Sequence, residues 1–408
     1  MKLHHILKAM SVIHVTAIPA MSADHVFMVS VDGLRPAAIE ELMETDELPN
    51  IARLQKEGVW THNARTDFDS TSTVPNHVTM ITGRPVSGLL GHNYNSNKNP
   101  SASDTLHATK GGYVSSVFDV AHDHGLTTAI YRGKSKLSII DQSYSQETGA
   151  VDITGVDNGK GKIDLVRFDD TSDHADQLMS LLVEDLPNQP VNLTLLHLVD
   201  PDREGHHSSW DSEGYFDAVR RVDGYLRVLI RAVEENDPYS GRTTIILTSD
   251  HGGFGQTHTA AEDPENYVIP FYVWGADVPR GGDLYAINQG VRSDPGNGQP
   301  TTDQPEQPIR NGDMGNLALD FLGLPIVPGS VVNAVQDLGT SMVREGTPDL
   351  MIRNLPTGKI QIRWAAEESI IVQASSNGVE WVDLGSGPRR SFVDSSLSSG
   401  KKFYRIRR

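Results

Sequence analysis

Carboxylate and imidazole side chains follow directly after an apolar run in the stretch Thr243 to His258, which reads TTIILTSDHGGFGQTH. The run up to Leu247 predicts a buried strand because it is continuously β-branched or aliphatic. Asp250 and His251 come next, two glycines turn the chain, and His258 follows. These residue types bind divalent ions such as zinc, and the carboxyl ends of strands are where open α/β sheets hold ligands. By itself the pattern also fits a loop in which Asp250 caps a turn.

Two further acidic positions follow predicted strands. The run DPDREGH, from Asp200 to His206, comes just after the apolar stretch VNLTLLHLV. Asp202 and His206 are four residues apart, so a carboxylate and an imidazole can reach one ion, although the run also fits a charged surface turn. Asp32 follows the run HVFMVSV, where a lone aspartate is often only a helix cap.

Hydroxyl side chains crowd the stretch STSTVPNHVTMITG, which runs from Ser70 to Gly83. A threonine hydroxyl becomes a useful nucleophile when a neighbouring metal lowers its pKa, and helix amino termini bind anions. Taken alone, the stretch reads equally well as a Ser/Thr-rich helix cap.

The elements that must position these residues alternate between strand and helix. Strands are predicted near residues 25–31, 127–132, 191–199, 243–247 and 268–274, and helices near 36, 50–57, 111–125, 173–186, 212–236 and 311–328. This alternation predicts an α/β fold with a doubly wound, mostly parallel sheet sandwiched by helices. Asp32, Asp202 and Asp250 would then meet along one edge of the sheet. Beyond residue 346 short alternating runs with Asn-Gly and Ser-Gly turns predict a small antiparallel β module over 347–408.

Composition limits the classes of partner. The net charge is -18, from 53 acidic and 35 basic residues, so the average field repels nucleic acid and anionic membranes. The absence of cysteine excludes disulfides, thiolate zinc ligands and cysteine nucleophiles. Residues 1–23 have the layout of a secretory signal peptide, and no other segment is apolar enough to span a bilayer. We therefore expect an exported, soluble mature protein with a catalytic domain over 24–346. No sequence feature indicates an oligomeric state.

Four motifs in order carry a resemblance to a known family. Thr73-Val-Pro-Asn-His77 is similar to the nucleophile motif Thr-Phe-Pro-Asn-His of the nucleotide pyrophosphatase/phosphodiesterase branch of the alkaline phosphatase superfamily. Asp32-Gly33, Pro201 to His206, and Asp250-His251-Gly252 follow the order of that superfamily's metal motifs. The resemblance covers about residues 24 to 345 and implies the alkaline phosphatase-like fold.

The resemblance also implies a two-zinc site and a two-step mechanism. One ion would be held by Asp202, His206 and His258, and the other by the side chains of Asp32, Asp250, His251 and Thr73. Thr73 would attack phosphorus in line while the metals stabilise the attacking and leaving oxygens, and a metal-activated water would then hydrolyse the phosphothreonine. His77 is expected to be structural. The implied partner is a small-molecule phosphate ester.

Residues outside the four motifs bear on the preference between phosphate diesters and monoesters. The family's phosphodiesterases place an asparagine against a phosphoryl oxygen near Gly88 to Asn95, where Asn93 is favoured and His92 is the aligned alternative. Lys134 and Lys136 resemble the basic residues by which the superfamily's monoesterases grip additional phosphate oxygens, although both also fit ordinary surface charges. We predict a phosphodiesterase or nucleotide pyrophosphatase, with a phosphomonoesterase as the alternative.

Other classes are less well supported. A sulfatase needs a cysteine or a Ser-x-Pro-x-Arg run that this chain lacks, and a phosphoglycerate-type mutase would not normally be exported. A catalytically inactive binder that uses the carboxyl-terminal module to hold a glycan or a cell surface is the alternative from another class. The complete set of ligands and nucleophile argues against it.

Overall fold

The computed structural model describes residues 23–152, 159–340, 350–354, 360–364, 370–387, 391–394 and 402–407. Its main feature is an eight-stranded sheet with the strand order β4-β3-β5-β1-β6-β7-β2-β8. The five strands from β4 to β6 in that order are parallel neighbours, whereas β7 runs antiparallel to both β6 and β2. The strands are β1 (His25–Val31), β2 (Val59–Arg65), β3 (Thr128–Arg132), β4 (Leu165–Phe168), β5 (Leu193–Leu198), β6 (Thr243–Thr248), β7 (Val268–Gly275) and β8 (Gly282–Asp283).

Helices cover both faces of this sheet. They are α1 (Pro36–Glu44), α2 (Pro49–Glu57), α3 (Thr73–Thr82), α4 (Leu106–Lys110), α5 (Val117–Asp123), α6 (Ser138–Ser143), α7 (Asp176–Asn188), α8 (Asp200–Ser208), α9 (Glu213–Glu235), α10 (Pro264–Tyr267), α11 (Leu284–Ile287) and α12 (Asp313–Phe321). Proline in the first turn favours the start of α1, α2, α8 and α10. The hydroxyl of Ser212 accepts a hydrogen bond from the amide of Tyr215 and caps α9.

Two apolar cores lie on opposite faces of the sheet. One joins β-strand side chains to α3, α5 and α12, and its buried members include Val78, Phe118 and Leu319. The other packs α1, α2, α7 and α9 on the opposite face and includes Leu54 and Leu226. A sheet that is buried on both faces explains the continuous apolar runs of its parallel strands.

The fold class predicted from the sequence is confirmed. Strand β1 lies between β5 and β6, with Val31 in register with Leu198 and Ser30 in register with Thr248. The carboxyl ends of these three neighbouring strands therefore meet at one edge. The chain leaves that edge at Asp32, at the start of α8, and at the turn after β6, which is where the candidate ligands lie.

The carboxyl-terminal strands form two small antiparallel sheets with the orders β13-β10-β9 and β12-β11-β14. They are β9 (Leu350–Asn354), β10 (Ile360–Trp364), β11 (Ile370–Ser375), β12 (Val382–Gly387), β13 (Ser391–Asp394) and β14 (Phe403–Arg407). The predicted domain boundary at 346/347 lies within 341–349, outside the described residues, and the predicted signal peptide likewise falls almost entirely on the undescribed residues 1–22. Among the helices of the described chain, none has the length and apolar character needed to cross a membrane.

Element boundaries differ from the sequence predictions in several places. Strand β2 was not predicted because its sequence VWTHNAR mixes polar and apolar residues, yet it pairs with β7 in the interior of the sheet order. The helix predicted over 111–125 is limited to α5, and the last helix of the large domain ends at Phe321. Asp202, predicted just past the end of a strand, lies in the first turn of α8.

Candidate metal centre and nucleophile

The turns after β1 and β6 are tied together by short polar contacts. The hydroxyl of Ser249 donates to the carbonyl of Val31 at 2.7 Å and accepts from the amide of Leu34 at 3.0 Å. The amide of Gly33 donates to Oδ1 of Asp250 at 3.1 Å. Gly33 has a φ of +72°, and a Cβ there would lie 2.9 Å from the Cα of Asp202. Only glycine therefore lets the β1 turn approach α8 so closely.

One candidate metal-binding cluster consists of Asp32, Asp250 and His251, all fully buried. Nε2 of His251 lies 3.3 Å from Oδ1 of Asp32 and 3.3 Å from Oδ2 of Asp250. The hydroxyl oxygen of Thr73 is 3.4 Å from the same nitrogen. The structure thus brings together the three predicted protein ligands of one ion and the predicted nucleophile.

A second cluster consists of Asp202, His251 and His258, which are also buried. Oδ1 of Asp202 lies 3.6 Å from Nε2 of His258 and 3.5 Å from Nε2 of His206. Asp202 and His206 share one face of α8 because they are four residues apart. The side chain of His206 is 46% exposed, so it stands at the outer rim of the cluster while His251 lies between the two groups.

The histidines of these clusters share one orientation. Nδ1 of His251, His258 and His206 lies 2.8, 2.6 and 2.9 Å, respectively, from the backbone carbonyl oxygens of Gly252, Thr71 and Gln256. A carbonyl oxygen only accepts hydrogen bonds, so Nδ1 must carry the proton in each ring. In the neutral imidazole Nε2 is then a free lone pair that faces the buried carboxylates, as in protein metal sites.

Three carboxylate oxygens of the two clusters are buried and make no hydrogen bond within the described residues, namely Oδ1 of Asp32, Oδ1 of Asp202 and Oδ2 of Asp250. Buried anionic oxygens without partners are strongly destabilising, and bound cations relieve that cost. The residues present therefore fit a pair of divalent ions of the kind that nitrogen and oxygen ligands favour.

Burial and the closely spaced carboxylates shift the pKa values of the site residues. Burial, followed by the charge of Asp32, raises the pKa of Asp250 to about 8. Burial lowers the pKa of His251, but the carboxylates of Asp250 and Asp32 prevail and raise it to about 9. Burial, together with the charge of His251, lowers the pKa of His258 to about 3. The crowded acids therefore keep a proton on the Asp250–His251 pair at neutral pH, which a bound cation would displace.

Thr73 is the first residue of α3, whose ten residues are all buried. The side chain of Asn76 holds the preceding loop, since its Nδ2 donates to the carbonyls of Ser70 and Ser72 at 2.8 and 3.1 Å. Nδ1 of His77 donates to the carbonyl of Thr73 at 2.7 Å. His77 thus braces the nucleophile's turn, in keeping with a structural role. The amino terminus of α3 also directs its positive end toward the site.

Two lysines from the loop after β3 enter the site. Nζ of Lys134 lies 2.7 Å from Oδ2 of Asp32 and in closer contact with Oδ2 of Asp202. Nζ of Lys136 lies 2.9 Å from the hydroxyl oxygen of Thr73. Neither is an ordinary surface charge, because the first is buried and the second is part-buried beside the nucleophile.

The loop after Gly88 contains His92 and Asn93, the two residues predicted as candidates for contact with a phosphoryl oxygen. His92 is buried, with Nε2 3.2 Å from the hydroxyl of Thr79 and Nδ1 accepting from the amide of Tyr94 at 3.1 Å. Asn93 has a φ of +63°, which turns the chain. It is Asn97 whose side chain reaches the nucleophile's helix, with Oδ1 accepting from the amide of Val74 at 3.1 Å. Sequence reasoning missed Asn97, since the only signal was its place among several asparagines.

Trp210 forms the floor beneath the second cluster. It is fully buried, its Nε1 donates to the carbonyl of Gly33 at 2.9 Å, and its ring lies 5.2 Å from that of His206 and 6.0 Å from that of His258. A Cβ at Gly253 would lie 2.1 Å from the indole. The second glycine of the Asp-His-Gly-Gly turn thus makes room for this ring.

The eight-stranded sheet carries a threonine and buried carboxylate and imidazole groups at the carboxyl ends of its central strands, which defines an α/β protein with a candidate metal centre. More particularly, the chain belongs to the type I phosphodiesterase / nucleotide pyrophosphatase family, whose model matches residues 26–270.

Individual relatives are distant. The chain is 24% identical over 230 residues to human ectonucleotide pyrophosphatase/phosphodiesterase family member 5, a match that covers 56% of this chain and 44% of that protein. It is 28% identical over 153 residues to GPI ethanolamine phosphate transferase 1 of Mus musculus, covering 36% of this chain and 16% of the transferase. The matches thus span less than half of these relatives.

Among solved structures, alkaline phosphatase PafA, in a variant with four substitutions, superposes with a TM-score of 0.55 at 11% identity. The match covers 79% of this chain and all of that one. At such an identity the likeness concerns the fold.

Proposed function

We propose that this protein is an exported, metal-dependent phosphoric ester hydrolase that acts through a phosphothreonine intermediate, with phosphodiesters or nucleotide pyrophosphates as its substrates. The observation that carries the proposal is the position of the Thr73 hydroxyl, 3.4 Å from Nε2 of His251 and 2.9 Å from Nζ of Lys136. A hydroxyl at a helix amino terminus, beside a lysine and a buried acid–imidazole cluster, is placed for nucleophilic attack.

The ligand set supports two divalent ions, expected to be zinc, with Asp32, Asp250, His251 and Thr73 at one and Asp202, His206 and His258 at the other. When bound, these ions would supply Lewis-acid stabilisation of the charged oxygens of substrate and nucleophile. His251 lies between the two groups, since it is within reach of both Asp32 and Asp202.

In the proposed reaction the Thr73 oxygen attacks phosphorus and the bond to the leaving-group oxygen breaks on the opposite side. Lys136 stabilises the threonine oxygen as it loses its proton, because its ammonium is within hydrogen-bonding distance. Thr73 lies beside the Asp32 cluster, so in-line displacement points the leaving group toward Asp202 and His258. Water then attacks the phosphothreonine along the same line and releases the phosphoryl product, restoring the hydroxyl.

Phosphomonoester hydrolysis is the second candidate, and the two lysines favour it. A monoester carries one more negative charge than a diester, and Lys134 and Lys136 place two ammonium groups within the site, one between Asp32 and Asp202 and one beside Thr73. A function restricted to binding is less well supported, since it gives no role to Thr73 within this arrangement. Export is proposed from the pattern of residues 1–23.

The test is hydrolysis of bis(p-nitrophenyl) phosphate and p-nitrophenyl phosphate, measured side by side with added zinc for wild type, Thr73→Ala and Thr82→Ala. Thr82 is a matched control because it is buried in the same helix and its hydroxyl makes backbone contacts, donating to the carbonyl of Val78 at 2.7 Å and accepting from the amide of Arg84 at 3.3 Å. Turnover of the diester that is lost in Thr73→Ala and retained in Thr82→Ala supports the proposal. Preference for the monoester moves the assignment to a phosphatase, and activity that survives in Thr73→Ala contradicts the nucleophile.

A further inference from the structure

His197 is a fully buried imidazole at the second-last position of β5, whose sequence LTLLHL is otherwise apolar apart from one threonine. It is paired in register with Ser30 of β1, two residues before Asp32. A leucine at this position would bury more apolar surface without the cost of desolvating an imidazole. The buried ring therefore needs polar partners. No role for this histidine was predicted from the sequence.

The hydrogen bonds of His197 fix its tautomer. The amide of Gly133 donates to Nδ1 at 3.2 Å, so Nδ1 is the acceptor and the proton resides on Nε2. Nε2 then donates to Oδ2 of Asp32 at 2.9 Å. This polarity is the reverse of that in His251, His258 and His206, whose Nδ1 atoms face carbonyls and whose Nε2 atoms face the clusters. His197 is therefore a donor to a carboxylate, with no nitrogen left for a metal.

The contact distinguishes the two oxygens of Asp32. Oδ2 is engaged twice, by His197 and by Nζ of Lys134 at 2.7 Å. Oδ1 makes no hydrogen bond within the described residues and lies 3.3 Å from Nε2 of His251. One oxygen is thus occupied on the strand side, while the other faces the cluster.

We infer that His197 is a positioning residue, which holds Oδ2 of Asp32 so that Oδ1 alone is presented to a metal ion. The inference rests on the metal site of the proposed function. Hydrogen bonds of this kind to ligating groups fix their orientation, and their loss typically lowers metal affinity about 10- to 100-fold.

The surroundings hold the imidazole itself in place. The ring of His77 packs edge-on against it, with the centroids 4.8 Å apart and the planes at 82°. Since His77 also donates to the carbonyl of Thr73, the brace that supports the nucleophile's turn and the residue that orients Asp32 are in direct contact. The contact between His77 and His197 thereby links the positions of Thr73 and Asp32.

A pair of substitutions separates orientation from packing. In His197→Gln the amide reaches as far as Nε2 and keeps a donor to Asp32, whereas in His197→Asn the shorter amide keeps only the contact with Gly133. Each purified variant is stripped with a chelator, and zinc affinity is measured by competition with a chromophoric chelator, with stoichiometry from elemental analysis. His25→Asn is the matched control, since His25 is buried on β1 and binds the carbonyl of Val191 at 2.6 Å.

We expect the wild type and His25→Asn to bind two ions. His197→Asn should bind one of them about 10- to 100-fold more weakly, and His197→Gln should recover most of the loss. Two ions bound with wild-type affinity by His197→Asn would overturn the inference while leaving the proposed function intact. A wild-type protein that binds no metal would overturn both. Should His197→Asn not fold, equal affinities of His197→Gln and wild type support the inference, and an affinity of His197→Gln more than about tenfold weaker contradicts it.

Discussion

His251 stacks face to face on His258, with ring centroids 3.6 Å apart and planes inclined by 5°. Their Nε2 atoms lie 3.7 and 3.6 Å from the same atom, Oδ1 of Asp202. The short turn between them is held by an isolated bridge between Phe254 and Thr257. The two histidines are seven positions apart along the chain, and the turn between them folds one imidazole directly onto the other where the two clusters meet.

The turn leaves no room for a side chain at Gly253. In Gly253→Ala the new Cβ would meet the Trp210 indole at 2.1 Å, so we expect a loss of about 1–3 kcal/mol in the free energy of unfolding. Urea denaturation of metal-free protein measures it. Gly224→Ala is the control, because a Cβ at that position in α9 meets nothing within 4 Å, and it should leave stability unchanged or slightly higher. Equal effects of the two substitutions would contradict the proposed fit of the indole.

Lys134 bridges two carboxylates of the candidate metal centre, Asp32 and Asp202. Removing one member of a buried ion pair typically costs about 3–5 kcal/mol, so Lys134→Met should destabilise the metal-free protein. Zinc should recover most of this loss, because it restores positive charge beside the same carboxylates. Thermal unfolding with and without zinc measures the recovery.

A matched control for that experiment is Lys162→Met. Lys162 is fully buried and pairs with Asp123 away from the clusters. Its loss should also destabilise the protein, but zinc should raise the unfolding temperature of this variant no more than that of the wild type. A similar recovery in both lysine variants would show that Lys134 has no special relation to the metal site.

Lys136 should matter more for monoesters than for diesters. Its ammonium lies 2.9 Å from the Thr73 oxygen, and loss of one donor at a developing charge typically lowers kcat by about 10²–10³. We expect Lys136→Ala to lose more kcat/KM toward p-nitrophenyl phosphate than toward bis(p-nitrophenyl) phosphate, because the monoester bears the greater charge. Lys136→Arg keeps the charge and should be less affected. An unchanged ratio of the two activities would argue against a role in phosphate recognition.

Zinc binding should release protons and strengthen as pH rises. The pKa of Asp250 is raised to about 8 and that of His251 to about 9 in the metal-free site. The Asp250–His251 pair therefore holds a proton at pH 7 that a bound cation must displace. The apparent affinity should rise about tenfold per pH unit for each proton released, and level off above pH 9. Calorimetry in buffers of different ionisation enthalpy counts the protons, and a pH-independent affinity would contradict this description.

The sequence was most informative where polar residues that can bind metal follow directly after buried apolar strands. Parallel strands buried on both faces appear as continuous apolar runs, so the ends that carry Asp32 and Asp250 were predictable. The motif around Thr73 was found through its resemblance to a family motif, and in the structure Asn76 and His77 brace that turn.

Contacts that depend on loop geometry were less predictable. The positive φ of Asn93 redirects its loop, so that Asn97 reaches α3 while His92 packs against Thr79. Nothing in the spacing of four neighbouring asparagines distinguishes these outcomes. The role of His197 depends on strand register, which places it beside Asp32 only once β5 is paired with β1.

The most direct test of the account is to identify the covalent intermediate. Wild-type enzyme is mixed with bis(p-nitrophenyl) phosphate, quenched in acid within milliseconds, digested and examined by mass spectrometry. The account predicts a p-nitrophenyl phosphoryl group on the Thr73 peptide, formed in step with a burst of p-nitrophenolate. Turnover without any adduct on Thr73, or with the adduct on another residue, would contradict the proposed nucleophile.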